Sequence, residues 1–389
     1  MKVNFLYIHI PFCIQKCLYC DFFSVPYDES YAKTYVEALC KELSLKKDSA
    51  GTLKSIYIGG GTPSLLPDEC FKKLFKFLRN NFNFSSSVKI TVEANPGTIN
   101  EPKISTILSL GVNRLSVGIQ SFNNDELRTL GRIHTSEDSL GSIKLIKKAG
   151  INNFSLDLIY AIPGQTMNSW QKSISTGSEL SPAHISAYEL TPERKTPLYE
   201  LIESDKIRMP DEEIILEMYN YAVDYFASCG YEHYEISNFA LSGFRCIHNL
   251  NYWDTGEYIG AGAGAHSFIN GIRSENTKDI NRYIEYSNRG IIPEIESAKL
   301  TSKEFCKEFI FLGLRKTEGI NINKLHPFIS PLTRGDKEGC NSLLQASREL
   351  TDEGYLDIDK GHLRLTRKGI VISNTIIVKL FERLGLFKK

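Results

Sequence analysis

The sequence predicts an α/β protein: an open or partial barrel of strand-helix units, followed by a smaller, mainly helical region. Three observations carry this. Short β-rich runs alternate with longer helix-patterned ones from Asn4 to about Phe268, the signature of βα units on a parallel sheet. The intervening helical segments are amphipathic. The pattern then turns helical near Thr301. At 389 residues, with roughly one domain per ~150 residues, the chain has room for two or three domains.

The strand candidates, in order, are Phe5 to Ile10, Ser55 to Ile58, Lys89 to Glu93, Arg114 to Ile119, Ser155 to Ile159 and His184 to Leu190. Between them, Tyr31 to Leu45 places Tyr35, Leu39 and Leu43 on one helix face, and Asp138 to Ala149 stops at Gly150. In such folds the loops after the strands converge on one mouth, so the residues closing each strand are the ones to inspect. Tyr258 to Phe268 is rich in Gly and Ala, which suits close backbone approach. Beyond it, Ser302 to Leu314, Gly339 to Glu353 and a hairpin over Tyr355 to Thr366, turning at Lys360-Gly361, suggest a winged-helix-like layout. The boundaries expected are 1–240 for the barrel, 241–300 for a connecting segment and 301–389 for the C-terminal domain.

Composition narrows the function classes. Basic and acidic residues balance at 46 each, with 42% hydrophobic and 24% charged, as in an ordinary globular protein. The C-terminal region carries sixteen Lys and Arg against eleven Asp and Glu, an unremarkable excess with no basic recognition helix, so no nucleic-acid partner is expected. No apolar run reaches the ~18 residues of a membrane span, and the apolar run after Lys2 leads straight into cysteines without a cleavage pattern. A soluble, cytoplasmic chain is expected. Nine cysteines in so long a chain fit a disulfide framework poorly there.

Three of those cysteines stand apart. Cys13-Ile14-Gln15-Lys16-Cys17-Leu18-Tyr19-Cys20 directly follows the first strand candidate, so one loop can wrap three thiolates round an inorganic core. A [4Fe-4S] cube usually takes four thiolates, so three leave one iron open to another ligand. The alternatives are a zinc site completed by a histidine such as His9, although zinc sites normally pair two C-x2-C units, and three unrelated core cysteines. Other strand ends add polar groups: the Gly59-Gly60-Gly61-Thr62-Pro63 turn with its unobstructed backbone, Glu93, Gln120 and Asp157, with Arg132 able to pair with a carboxylate. Singly, each reads equally well as a structural residue; jointly, one per strand end, they favour a site.

The C-x3-C-x2-C pattern, with an aromatic before its last cysteine, resembles the signature of radical S-adenosylmethionine enzymes. That resemblance implies a cofactor whose amino and carboxylate groups chelate the fourth iron, and whose sulfonium bond the cluster cleaves to a 5'-deoxyadenosyl radical. Tyr7 to Phe12, Gly59 to Ser64, Glu93 to Gly97, Gln120 to Phe122 and Asp157 to Pro163 extend the likeness, over most of the chain, to the oxygen-independent coproporphyrinogen III oxidase family. It implies a partial (β/α)6 barrel with a smaller C-terminal domain, and S-adenosyl-L-methionine contacts at Tyr7, Gly60, Gly61, Thr62, Glu93, Gln120, Arg132 and Asp157.

One position departs from the oxidases, which carry a further cysteine where this chain has Phe22. The chain is instead similar to the HemW branch, regarded as heme chaperones and marked by H-N-x-x-Y-W, here His248-Asn249-Leu250-Asn251-Tyr252-Trp253. Imidazole is a good iron ligand, and Tyr252 and Trp253 offer flat faces suited to a porphyrin. A packed core histidine is the bland reading of His248; the resemblance favours contact with heme iron. It further implies heme and heme-accepting proteins as partners, and leaves transient membrane association and a homodimer open. The rival is radical decarboxylation of coproporphyrinogen III. Cys246 reads as a buried thiol, and Cys40, Cys70, Cys229, Cys306 and Cys340 as core or inert surface thiols. His134 and His266 are pocket candidates, and Trp170 is expected in packing.

Overall fold

A computed structural model describes residues 2–322 and 336–386, with no side-chain detail for 336–341. Six parallel strands lie side by side in chain order: β1 (Val3–Ile10), β2 (Ala50–Gly60), β3 (Asn83–Ala94), β4 (Arg114–Gln120), β5 (Phe154–Tyr160) and β6 (His184–Glu189). Every expected strand is present. Three short strands that sequence reading did not anticipate extend the sheet. Antiparallel to β6 runs β8 (Asn238–Ala240), followed by β7 (Glu232–Glu235), while β9 (Ile259–Ala261) runs parallel to β1 with Tyr7 opposite Gly260. The two outer strands do not pair with each other, so the barrel is partial, as expected.

Alternation along the strands sets what lies inside. Leu115, Val117 and Ile119 of β4 are buried, whereas Arg114, Ser116, Gly118 and Gln120 line an internal cavity. On β5, Leu156 and Leu158 are buried in the main core while Asp157 and Ile159 face the cavity; on β6, His184, Ser186 and Tyr188 do so. A period of two thus gives an apolar shell and a polar lumen.

Helix α1 (Glu29–Lys46) starts where the Asp28 side chain accepts from the Tyr31 amide at 2.8 Å. Helix α2 (Asp68–Asn81) buries Cys70, Phe71, Leu74, Phe75 and Leu78, a spacing of three and four that makes one apolar face. The buried Glu42 of α1 pairs with Lys46 at 2.6 Å and accepts from the Gly262 amide at 2.8 Å and the Tyr283 hydroxyl at 2.6 Å, so it is a satisfied buried charge that fastens the Gly/Ala-rich segment. Close approach is what the glycines there allow: a Cβ on Gly260 would lie 1.8 Å from the His266 carbonyl oxygen. Residues 241–300 therefore do more than connect, since they supply β9 to the barrel sheet.

The C-terminal region has its own core, with Cys306, Ile310, Leu314, Leu343, Leu350, Leu363, Ile376 and Leu380. Helices Ser302–Gly313, Asp336–Asp352 and Ser373–Arg383 pack with a three-stranded antiparallel sheet. The hairpin turns at Lys360 and Gly361, both at positive φ (50° and 79°), the geometry of a two-residue type I′ turn. Arg367 ties this region to the barrel, donating to Asp224 at 2.6 Å and 2.9 Å. Among the described residues, no helix is long and apolar enough to cross a membrane.

Candidate functional site

The cysteine loop is closed by its own backbone. Val25 donates to the Pro11 carbonyl at 2.7 Å and Tyr27 to that of Cys13 at 2.9 Å, while Leu18 donates to Leu130 O at 3.0 Å. Cys13, Cys17 and Cys20 are half-buried free thiols on this loop, and all three line one cavity of about 730 Å³. Burial pushes the Cys13 thiol up and that of Cys20 up to about 11, so holding them as thiolates needs a compensating cation. The Arg132 guanidinium donates to Cys17 Sγ at 3.4 Å, and also to Asn95 Oδ1 and Gly118 O, both at 2.7 Å. Arg132 thus already meets a thiol and two carbonyl oxygens.

A zinc site completed by His9 is not formed. One His9 nitrogen sits 2.9 Å from the Tyr7 hydroxyl and the other 3.0 Å from the Phe23 carbonyl, and burial lowers its pKa to about 4. Among the described residues no three His, Cys, Asp or Glu converge on a single-ion site. Three soft thiols at one mouth, with no fourth protein ligand, suit a cluster with one open corner.

The glycine turn is held against this loop. Gly61 donates to Ile10 O at 2.8 Å and Thr62 to Phe12 O at 2.7 Å, and a Cβ on Gly61 would lie 2.7 Å from that same Phe12 oxygen. Gly60, at φ 117°, donates to Glu93 Oε2 at 3.0 Å, and Tyr57 donates to Oε1 at 2.8 Å. Burial, despite these donors, pushes the Glu93 carboxyl up to about 7. Thr62 Oγ1 accepts from Asn95 at 2.8 Å and lies 3.6 Å from Cys13 Sγ. Asp157 accepts from Ser186 at 2.8 Å and Ser116 at 3.1 Å, and burial raises its pKa as well. Gln120, at φ 67°, ends β4 facing the same space.

The structure therefore brings Cys13, Cys17, Cys20, Gly60, Gly61, Thr62, Glu93, Gln120, Arg132 and Asp157 to one cavity. Tyr7 is not in its lining; its hydroxyl is spent on His9. His248 is not in the lining either. It is buried in α3 (Ile247–Trp253), with Nδ1 3.0 Å from Ser55 Oγ and Nε2 2.9 Å from the Tyr252 hydroxyl. Burial and the nearby Arg114 lower its pKa to about 3, so the ring is neutral. Its neighbour Asn249 does reach the cavity. His134 lines the cavity and bonds Ile119 O at 3.1 Å, whereas His266 is exposed and pairs with Glu275 at 3.7 Å. Cys246 is buried, Trp170 donates to Met218 O at 2.9 Å within the core, Cys229 is exposed, and the Cys340 side chain lies outside the described residues.

Sequence reading missed the lower part of this cavity: Arg114, Ser116, His184, Ser186, Asn249 and Arg315. The period-two alternation of β4 and β6 was the available signal. At the other end, Ile14, Phe22 and Ile133 form an apolar collar, each more than half exposed.

Comparison with known proteins bears on this architecture. The Radical SAM superfamily pattern matches residues 7–176 and the HemN C-terminal domain matches residues 300–372. Over 381 residues, 97% of each chain, the sequence is 35% identical to the heme chaperone HemW of Lactococcus lactis. The chain belongs to the heme chaperone HemW family. The Bacillus subtilis HemW is 35% identical over 373 residues, 95% of this chain and 97% of its own; the Escherichia coli HemW is 38% identical over 272 residues, 68% and 70%. Among solved structures, the Escherichia coli coproporphyrinogen III oxidase HemN, a radical SAM enzyme, superposes with a TM-score of 0.82 at 21% identity, covering 97% of this chain and 90% of its own. That likeness shows a shared fold. HemW membership agrees with the hexapeptide and with Phe22, as the sequence implied.

Proposed function

We propose that this chain is a cytoplasmic heme chaperone that carries a [4Fe-4S] cluster on Cys13, Cys17 and Cys20, binds S-adenosylmethionine beside it, and hands heme to acceptor proteins. The observation that carries the proposal is the convergence of three thiols, the glycine turn and strand-end polar groups on one cavity, in a chain of the HemW family. Gly60, Gly61 and Thr62 would present backbone groups to the cofactor's amino acid end, with Glu93, Gln120 and Asp157 across the lumen. The Arg132 guanidinium beside Cys17 offsets thiolate charge. When bound, the cluster and its cofactor supply one-electron chemistry. Tyr7 acts at one remove, by holding the imidazole of His9.

For the heme iron, His248 is the proposed contact. Its ring is neutral, as a ligand must be, but it first has to release Ser55 or Tyr252. The test is titration of anaerobically reconstituted protein with hemin, followed in the Soret band. Wild type should bind with a shifted band that His248→Ala abolishes, and should convert no coproporphyrinogen III. Turnover to protoporphyrinogen would instead favour the oxidase reading.

A further inference from the structure

The floor of the cavity holds a cation with no direct ion pair among the described residues. Arg114 opens β4 and is 5% exposed, with its side chain against the cavity. Its Nε is buried without a hydrogen-bond partner, and its one side-chain contact within bonding range is Nη1 to Cys246 Sγ at 3.7 Å. Among the described residues no carboxylate lies within ion-pair distance of it. Asp157 and Glu93 attract it across the lumen, but the hydrogen bonds of Asp157 go to Ser186 and Ser116 and those of Glu93 to Tyr57 and Gly60. The imidazole of His184, the next floor residue, is likewise spent, on Ser155 at 2.8 Å and Tyr234 at 2.7 Å. An unpaired buried charge is strongly unfavourable, by several kcal/mol in general. The unsatisfied guanidinium nitrogen beside the cavity leaves a donor for a ligand there.

A second guanidinium faces the same floor. Arg315 comes from the turn after the first C-terminal helix, lies over the rings of Phe311 (4.7 Å) and Trp253 (5.6 Å), and has no carboxylate in ion-pair range among the described residues. Between Gln120 at the mouth and Arg114 at the floor, β4 rises about 20 Å, at ~3.3 Å per residue. The floor is therefore a subsite separate from the thiols and the glycine turn.

We infer that Arg114, with Arg315 beside it, forms a carboxylate-binding subsite at the barrel floor that takes the propionate groups of heme. The inference rests on the heme reading for the identity of the ligand, and on the unpaired guanidinium for the subsite itself. It also gives the hexapeptide a second role: Asn249 lines this floor, so a porphyrin held there by its propionates lies against α3, next to His248.

Two probes test it, hemin and hemin dimethyl ester, whose propionates are neutral, each titrated into wild type and Arg114→Gln. A charge-assisted pair lost from a buried site corresponds to about 10- to 100-fold in affinity. Wild type should prefer hemin over the ester by that factor, and Arg114→Gln should lose most of that preference, bringing hemin close to the ester's wild-type affinity. Arg315→Gln should show a smaller loss of the same preference. Unliganded Arg114→Gln should melt within about 5 °C of wild type, because no direct ion pair is broken. A fall of more than about 5 °C would mark Arg114 as structural and overturn the inference, as would equal loss of hemin and ester or an unchanged preference. Failure of wild type to bind hemin at all would remove the chaperone reading too; hemin binding that ignores Arg114 removes the subsite alone.

Discussion

The mouth and the floor of this barrel are lined by the same strands, yet they are built on opposite principles. At the mouth, function is written into short loops. Three cysteines within eight residues and a glycine turn are pinned to each other by backbone hydrogen bonds such as Gly61 to Ile10 O and Thr62 to Phe12 O. At the floor, it is assembled from residues far apart in the chain, Arg114, His184, Asn249 and Arg315, the first two placed by strand alternation and the others by a helix and a turn. The mouth is locally specified and half exposed. The floor is buried and exists only once the sheet has formed. A locally built site can be erased in one loop, whereas a floor residue acts only once the whole sheet is assembled.

The largest effect should come from erasing the mouth. Replacing Cys13, Cys17 and Cys20 together by Ser should reduce iron per chain in anaerobically reconstituted protein from near four to near zero, with loss of the brown absorbance. The thiols are only half-buried and outside the hydrophobic core, so the free energy of urea unfolding of the metal-free protein should change by less than ~1 kcal/mol. Retention of bound iron would break the comparison at its strongest point, and collapse of the fold would show that the loop is structural.

That division also explains what could be read in advance. All six barrel strands and the cavity residues Glu93 and Gln120 were legible because strand-end position and hydrophobic alternation are properties of short windows, whereas Asp157, read as closing its strand, sits mid-strand in β5 and faces the lumen by alternation. The cysteine spacing was legible for the same reason. Arg114 and His184 were not, because they begin strands, the end at which an α/β sheet rarely carries chemistry. The pairing of His248 with Ser55, 193 residues away, and the insertion of β9 beside β1 depend on tertiary placement that no local pattern encodes. The Gly/Ala run did signal a close backbone approach, though not that its partner would be the His266 carbonyl.

Between mouth and floor sits Glu93, and its titration sharpens the boundary. Its carboxyl is raised to about 7 by burial, against ~4.3 for an unfolded glutamate. Folding therefore takes up a proton between those values, so stability falls as pH rises from about 4.5 through 7 and levels off above. The full difference corresponds to roughly 4 kcal/mol. Because Glu235 is also raised to about 7 and buried histidines act with the opposite sign, the readout is the difference between proteins: from pH 5 to pH 8 in urea unfolding of the metal-free protein, wild type should lose more stability than Glu93→Gln by roughly the Glu93 share, since the amide still offers an oxygen to Gly60 and a donor to the Tyr57 oxygen. A variant that keeps the full slope would place the titration elsewhere in the lumen.

The smallest effect belongs to the collar. Phe22 is 67% exposed, so little apolar area is removed from water when the chain folds, and Phe22→Ser should leave the unfolding free energy within about 0.5 kcal/mol of wild type. If the collar instead serves the ligand, the same substitution should cost binding. Covering some 40 Å² of ring at about 25 cal/mol per Å² amounts to roughly 1 kcal/mol, a loss of about 5-fold in hemin affinity. Because Phe22 is apolar and sits at the mouth, the loss should be the same for hemin and for its dimethyl ester, in contrast to Arg114 at the floor, where the two probes diverge. A Phe22→Ser variant that discriminated between the probes would place the propionates at the mouth and reverse the orientation inferred for the porphyrin.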